Sequence, residues 1–242
     1  MKTMLSIIKY DFAVYLKSAK SLMPLVIFLA FLGALYAYKP ANPISGFNLT
    51  MTVLFFIMVW VGLSQTDLEN PVSEQLMILK VQSAVQYYSG NLIFLFILCL
   101  LYGAIAVLAP LVANITQSST LFAYPVSPAD VANAFLLNCL AGYAGCALGS
   151  LLHPRIIKDR KLAAILAFAV AIIGLVKQGI LAEFPAGRFF TWIFPPISEV
   201  NSMLGNAEYY DSRVVPTCLL FLAVYALAIS VIKIVLLVRK KF

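Results

Sequence analysis

The 242-residue chain is 62% hydrophobic and 11% charged, with a mean hydropathy of +0.95 and a net charge of +7. A soluble domain carries about 25% charged and 45–50% apolar residues, so this chain cannot clothe a globule in polar groups, and lipid is the solvent its composition demands. Nucleic acid is excluded as the reason for the positive charge, because the Lys and Arg residues border apolar runs instead of lining one polar face.

The first twenty residues, "MKTMLSIIKYDFAVYLKSAK", place Met1, Met4, Leu5, Ile8, Phe12, Tyr15, Leu16 and Ala19 on one helical stripe. Lys2, Ser6, Lys9, Lys17 and Lys20 fall on the other side. That pattern predicts an amphipathic helix lying in the membrane interface over 1–20. The sequence "YAYKPANP" further on is a poor cleavage site for a secretory leader, so the segment is expected to be retained.

A bilayer crossing takes about 20 apolar residues. Six runs approach that length: about 21–38, 47–63, 92–112, 131–152, 162–181 and 215–238. The expected fold is therefore all-α, a polytopic membrane protein with one six-helix domain over 21–242. Orientation follows from the connections, since Lys and Arg concentrate on the cytoplasmic side. With the N-terminus in the cytoplasm, 13 of the 17 Lys and Arg lie inside, and only Lys39, Lys177, Arg188 and Arg213 lie outside. The segment "HPRIIKDRKL" between the fourth and fifth runs is the strongest marker. Both termini are expected in the cytoplasm.

Between the second and third runs lies "QTDLENPVSEQLM", which gathers Asp67, Glu69 and Glu74 from a total of ten acidic residues. Asn70 followed by Pro71 predicts a helix start, with Asn as cap and Pro in the first turn, and the acids suit the positive end of the helix dipole. A short helix over 71–81 would carry Val72, Leu76 and Leu79 near one face. Residue types alone leave two readings: a solvated loop whose acids cap a helix, or a docking element for a soluble partner. In the second, Leu76, Met77 and Leu79 would supply the holding energy, because exposed ion pairs contribute only about 0–1 kcal/mol each.

Cys99, Cys139, Cys146 and Cys218 all lie within apolar runs with no C-x-x-C pair, and are expected to be free and buried. Gly142, Gly145 and Gly149 have the small-residue spacing that lets membrane helices approach. Lys177 and Lys233 sit near span ends, where each is expected to snorkel to the headgroups. All ten acids fall outside the apolar spans, which argues against a proton-coupled carrier. No G-x-x-x-x-G-K-[ST] loop occurs, so any ATP chemistry belongs to another chain. The single histidine, His153, cannot build a multi-histidine metal site, and no neighbouring carboxylate or serine motif in the sequence marks it as a catalytic base.

The last long connection, "AEFPAGRFFTWIFPPISEVNSMLGNAEYYDSR", is aromatic and broken by Pro185, Pro195 and Pro196. Its aromatics read equally as an interfacial belt or as part of a gate.

Taken together, the amphipathic start, six spans, cytoplasmic ends, acidic helix between spans two and three, and Pro-broken outer segment resemble the membrane subunit of an ABC-2 type ABC transporter, as in its smaller bacterial members. The resemblance is architectural and spans the whole chain. It implies that Asp67, Glu69, Val72, Glu74, Leu76, Met77 and Leu79 form a coupling helix seated on a cytoplasmic ATPase. It also implies that Phe184, Phe189, Phe190, Trp192 and Phe194 belong to an external gate. The chain itself would hold no cofactor, catalytic residue or metal; ATP and magnesium would sit in the partner. A second copy or a homologous permease would complete the unit in the cell membrane. The cargo would be amphipathic or lipidic, such as an antimicrobial peptide. The competing reading is a multi-pass enzyme accessory, or an immunity or scaffold protein, with no transport cycle.

Overall fold

The computed structural model describes residues 2–68, 70–183, 191–205 and 208–240. The chain is a polytopic helical membrane protein. Among the described residues its helices are α1 (Lys2–Lys17), α2 (Leu22–Leu35), α3 (Pro43–Thr66), α4 (Pro71–Val81), α5 (Ala84–Thr116), α6 (Pro128–Leu151), α7 (Arg160–Glu183), α8 (Ile197–Leu204) and α9 (Val214–Arg239). Of these, α3, α5, α6, α7 and α9 are each long and apolar enough to cross a membrane.

The first predicted span is shorter than its apolar run. α2 has 14 residues, about 21 Å at 1.5 Å per residue, against a hydrocarbon core of about 30 Å. The run continues to Tyr38, but the helix ends at Leu35, and residues 36–41 turn toward Asn42, the cap of α3. α1 and α2 meet at 87° across a single 3₁₀ turn. The sixth crossing therefore depends on this bent pair, and the span count is five or six.

α3 and α6 form the centre. Their apolar windows are 67% and 72% buried, against 22% for α7 and 33% for α9. The cause is glycine. A Cβ added at Gly145 or Gly149 would collide with the carbonyl oxygens of Phe55 or Val59, and one at Gly62 would lie 2.5 Å from Cys146 O. Backbone thus rests on backbone, the arrangement that small residues permit in lipid. Gly142 makes only ordinary contact with Leu54 and Met58. All four cysteines are free and buried in this interior.

α5, 33 residues long, packs on α6 and meets α1 near its own start. Ile7 packs at Gly90, and Phe12 and Tyr15 stack edge-on against Phe94. The inward stripe of α1 is Ile7, Asp11 and Tyr15, while Leu5 and Leu16 face outward. Asp11 is buried, and the Asn91 amide, oriented with its nitrogen toward the carboxylate, donates to Asp11 Oδ2 at 3.0 Å.

The two ends of the bundle are tied differently. At one end, Ala41 N donates to Leu121 O at 2.8 Å and Ala123 N to Ala41 O at 2.9 Å, joining the α2–α3 and α5–α6 connections. α8 lies at this end too, with Asn201 Nδ2 donating to Thr52 Oγ1 at 3.0 Å, and Tyr210 OH donating to Asn48 Oδ1 at 2.9 Å. A capping box starts α6: Asp130 N donates to Ser127 Oγ, and Asp130 also accepts from Tyr210 N at 3.1 Å. The opposite end holds α1, α4 and the 152–159 connection.

Candidate functional site

Asn70 starts α4, its Oδ1 accepting from Val72 N at 3.1 Å, with Pro71 in the first turn. Gln82 ends it in a left-handed conformation (φ 60°), and Ser83 caps α5 by accepting from Gln86 N at 3.3 Å. Only Gln82 and Ser83 separate the two helices, so α4 is a bent extension of α5 and not a loose loop.

One face of α4 is sealed. Met77, Ile78 and Val81 pack on a small core of Ile7, Tyr87, Tyr88 and Leu237, drawn from α1, α5 and α9. The other face is open: Val72, Leu76 and Leu79 are 61%, 62% and 72% exposed. Their spacing of four and three residues puts them on one side of the helix.

Asp67 and Glu74 do not act together. Glu74 is buried and turned inward, which corrects its expected place on the docking surface. Its Oε1 accepts from Tyr88 OH at 2.6 Å and from Arg155 Nη1 at 3.4 Å, because a buried carboxylate is tolerated only with donors around it. Asp67 is engaged by Arg160, whose Nε lies 2.6 Å from Oδ1 without the N–H aligned on it. Glu69 lies outside the described residues. Met77 faces the small core, so the outward face presents Val72, Leu76 and Leu79, with Gln75 and Lys80 exposed beside them.

The 152–159 connection completes the site. Arg155 bonds Tyr88 OH and the Lys240 carbonyl, while Lys240 Nζ donates to Arg155 O at 2.7 Å. Arg160 Nη1 donates to Leu152 O at 2.8 Å, and Nη2 to Thr66 Oγ1 at 3.0 Å. α3, α4, α7 and the end of α9 are thereby laced to one segment. His153 Nε2 is 3.9 Å from Glu74 Oε1, a carboxylate neighbour that the sequence separates from it by 79 residues. Its Nδ1 accepts from Arg155 N at 3.3 Å. Burial, and then the charges of Lys233, Arg155 and Arg160, push the imidazole down to about 3, which outweighs Glu74 and leaves the ring neutral.

Between these groups lies a cavity of about 430 Å³, lined among others by Gln65, Asp67, Glu74, His153, Arg155, Lys158, Arg160 and Lys233. Lys233 is 1% exposed and points into the bundle, where snorkelling was expected. Sequence reasoning missed this cluster. The available signal was the polar "QYYSGN" at the start of an otherwise apolar helix.

At the far end, Trp192 is exposed and Phe194 half-buried; Phe184, Phe189 and Phe190 lie outside the described residues. Trp192 and Phe194 line a largely apolar cavity of about 610 Å³ together with Leu220, Phe221, Val224 and Tyr225. Lys177 also corrects its expected position. It is 4% exposed, pairs with Glu199 Oε1 at 2.7 Å, and donates to Phe194 O at 3.3 Å. The Pro-broken segment rests on α7 at Gly174, where an added Cβ would meet the ring of Pro195. The signal for the Lys177–Glu199 pair was a within-span cation with an acid just after Pro195–Pro196.

The chain matches no protein-family model, no curated protein and no solved structure.

Proposed function

We propose that this chain is the membrane-spanning permease subunit of an ATP-driven exporter, with a separate cytoplasmic ATPase docking on α4. The observation that carries this reading is the two-sidedness of α4: a sealed face tied to α1, α5, α9 and Arg155, and an open face of Val72, Leu76 and Leu79. Each apolar side chain fully buried in a partner's cleft contributes about 1.5–3 kcal/mol, enough in sum to hold a subunit. A helix fastened on one side and free on the other can pass a partner's movement into the spans that flank it. Coupling requires two global states with different partner contacts, and α3 and α5 lead directly from α4 into the bundle.

The distribution of Lys and Arg favours this end as the cytoplasmic one. The exposed faces of α7 and α9, with Ile165, Ile172, Val176, Leu220, Val224 and Val231 outward, suit lipid or a second permease chain. The apolar cavity beside Trp192 suits an amphipathic or lipidic cargo.

The test is purification from native membrane with assay of ATP turnover. Leu76→Glu with Leu79→Glu is expected to release the ATPase while the permease stays folded. An intact complex with unaltered turnover would overturn the reading and favour a protein without a transport cycle.

A further inference from the structure

The cavity at the α4 end contains more positive charge than its own acids can match. Arg155, Lys158, Arg160 and Lys233 line it, against Asp67 and Glu74. Both acids are already engaged: Asp67 by Arg160 at 2.6 Å, and Glu74 by Arg155 at 3.4 Å and by Tyr88. Lys158, exposed at the mouth, and Lys233, at the back, remain.

Lys233 is the telling group. It enters from α9, is 1% exposed, and makes no hydrogen bond or ion pair with any described residue. Asp11 and Glu74 act on it only through space. A buried ammonium without a partner is strongly disfavoured, and a flexible four-carbon stem near a helix end could have carried this one outward. The side chain instead lines a space whose volume lies in the range of small-ligand sites, about 300–1,000 Å³.

We propose that this cavity binds a phosphate group, carried either by a lipid headgroup or by a free phosphate. Lys158 and Lys233 are paired with no acid lining the cavity, and because Asp11 offsets part of the Lys233 charge through space, a group carrying one to two negative charges suits the space. Arg155 and Arg160 add positive charge on two walls while their N–H groups hold Glu74, Tyr88, Lys240, Leu152 and Thr66, so the ammonium groups of Lys158 and Lys233 are left as the donors for the phosphate oxygens. The neutral His153 ring borders the same region and can hydrogen-bond to it without adding charge, whereas the Thr66 hydroxyl gives its proton to Leu63 O at 2.7 Å. The inference is independent of the transport reading, since it rests on the charge and burial of this chain alone.

The test uses the full chain in neutral detergent, following its thermal unfolding midpoint. Inorganic phosphate is compared with chloride at matched ionic strength, and short-chain phosphatidic acid with phosphatidylcholine of the same chain length. A ligand that binds only the folded state raises the midpoint. A response to phosphate alone assigns the site to a soluble ligand, a response to phosphatidic acid alone to a lipid headgroup, and either supports the site. Lys233→Met is expected to weaken the response by about tenfold or more, as loss of a charge-assisted bond does. Lys158→Ala, at an exposed position that leaves folding intact, is expected to weaken it about threefold, and carries the test alone if Lys233→Met does not fold. The absence of any shift above the matched controls, or the same shift in wild type and in Lys158→Ala, overturns the proposal.

Discussion

Tyr88 and Glu74 meet across the elbow between α4 and α5, the phenol donating to the buried carboxylate at 2.6 Å. This bond fixes the angle at which α4 leaves the bundle, because Arg155 reaches the same oxygen from the other side. Removing the phenol oxygen leaves Glu74 buried with one donor fewer. Tyr88→Phe is expected to cost about 1–3 kcal/mol, the penalty for an under-satisfied buried acceptor. The measurement is the unfolding midpoint in detergent, with proteolysis in the 66–83 region as a local readout. An unchanged midpoint and cleavage pattern would show that Arg155 alone sets the elbow.

The α3–α6 contact makes a sharper prediction because it supplies its own control. Gly149→Ala pushes a methyl into the Val59 carbonyl, and the helices must part. Overpacking of this kind costs about 1–3 kcal/mol. At Gly33 and Gly179 an added Cβ meets nothing within 4 Å, and both lie within helices, so Ala there is expected to be neutral or stabilising by up to about 1 kcal/mol. Equal effects at all three positions would refute a packing role for the glycine stripe.

The Lys177–Glu199 pair is set in an apolar cavity, with side chains 6% and 25% exposed. Breaking one side leaves a buried charge, so Glu199→Ala is expected to cost about 3 kcal/mol, the low end for a buried pair. Lys177→Met combined with Glu199→Gln removes both charges and is expected to cost less than Glu199→Ala alone. A double-mutant cycle reads the coupling directly. Additive effects would mean that the two side chains do not sense each other.

Acid sensitivity follows from His153. Its folded-state pKa is lowered to about 3, against about 6.5 in the unfolded chain. The unfolded state therefore binds a proton that the folded state refuses. Stability is complete above about pH 6.5 and falls as pH drops toward 3, by roughly 1–2 kcal/mol at pH 5. Midpoints measured from pH 7.5 to 4.5 should fall less steeply in His153→Gln. A parallel slope in the variant would place the acid loss elsewhere.

Much of the fold is legible in the residues. The apolar runs locate α3, α5, α6, α7 and α9 because lipid demands continuous hydrophobic length, which composition records directly. The expected 92–112 falls well inside Ala84–Thr116, since Tyr87, Tyr88 and Asn91 are polar yet buried, and hydropathy treats them as boundary. Asn70–Pro71 marks the start of α4 through local capping chemistry alone. Charges are another matter. The sequence gives the depth of Lys177 and Lys233 along their helices, but not what faces them. Glu199 lies 22 residues away and Glu74 on another helix, so inward and outward orientations look alike in one dimension. The outward set of α4 was readable for Val72, Leu76 and Leu79 by helical spacing. Glu74 was not, because its partners Tyr88 and Arg155 arrive from two other parts of the chain.

The glycine seam between α3 and α6 has a mechanical consequence. Two helices whose backbones touch cannot slide without steric collision, so they behave as one stiff beam. One end of that beam leads into α4 and the other strand of it into the Arg155 segment that grips α4. A push on α4 is thus received twice by the same rigid member, and the compliance has to reside in the sparsely packed α7, the helix whose apolar window is least buried.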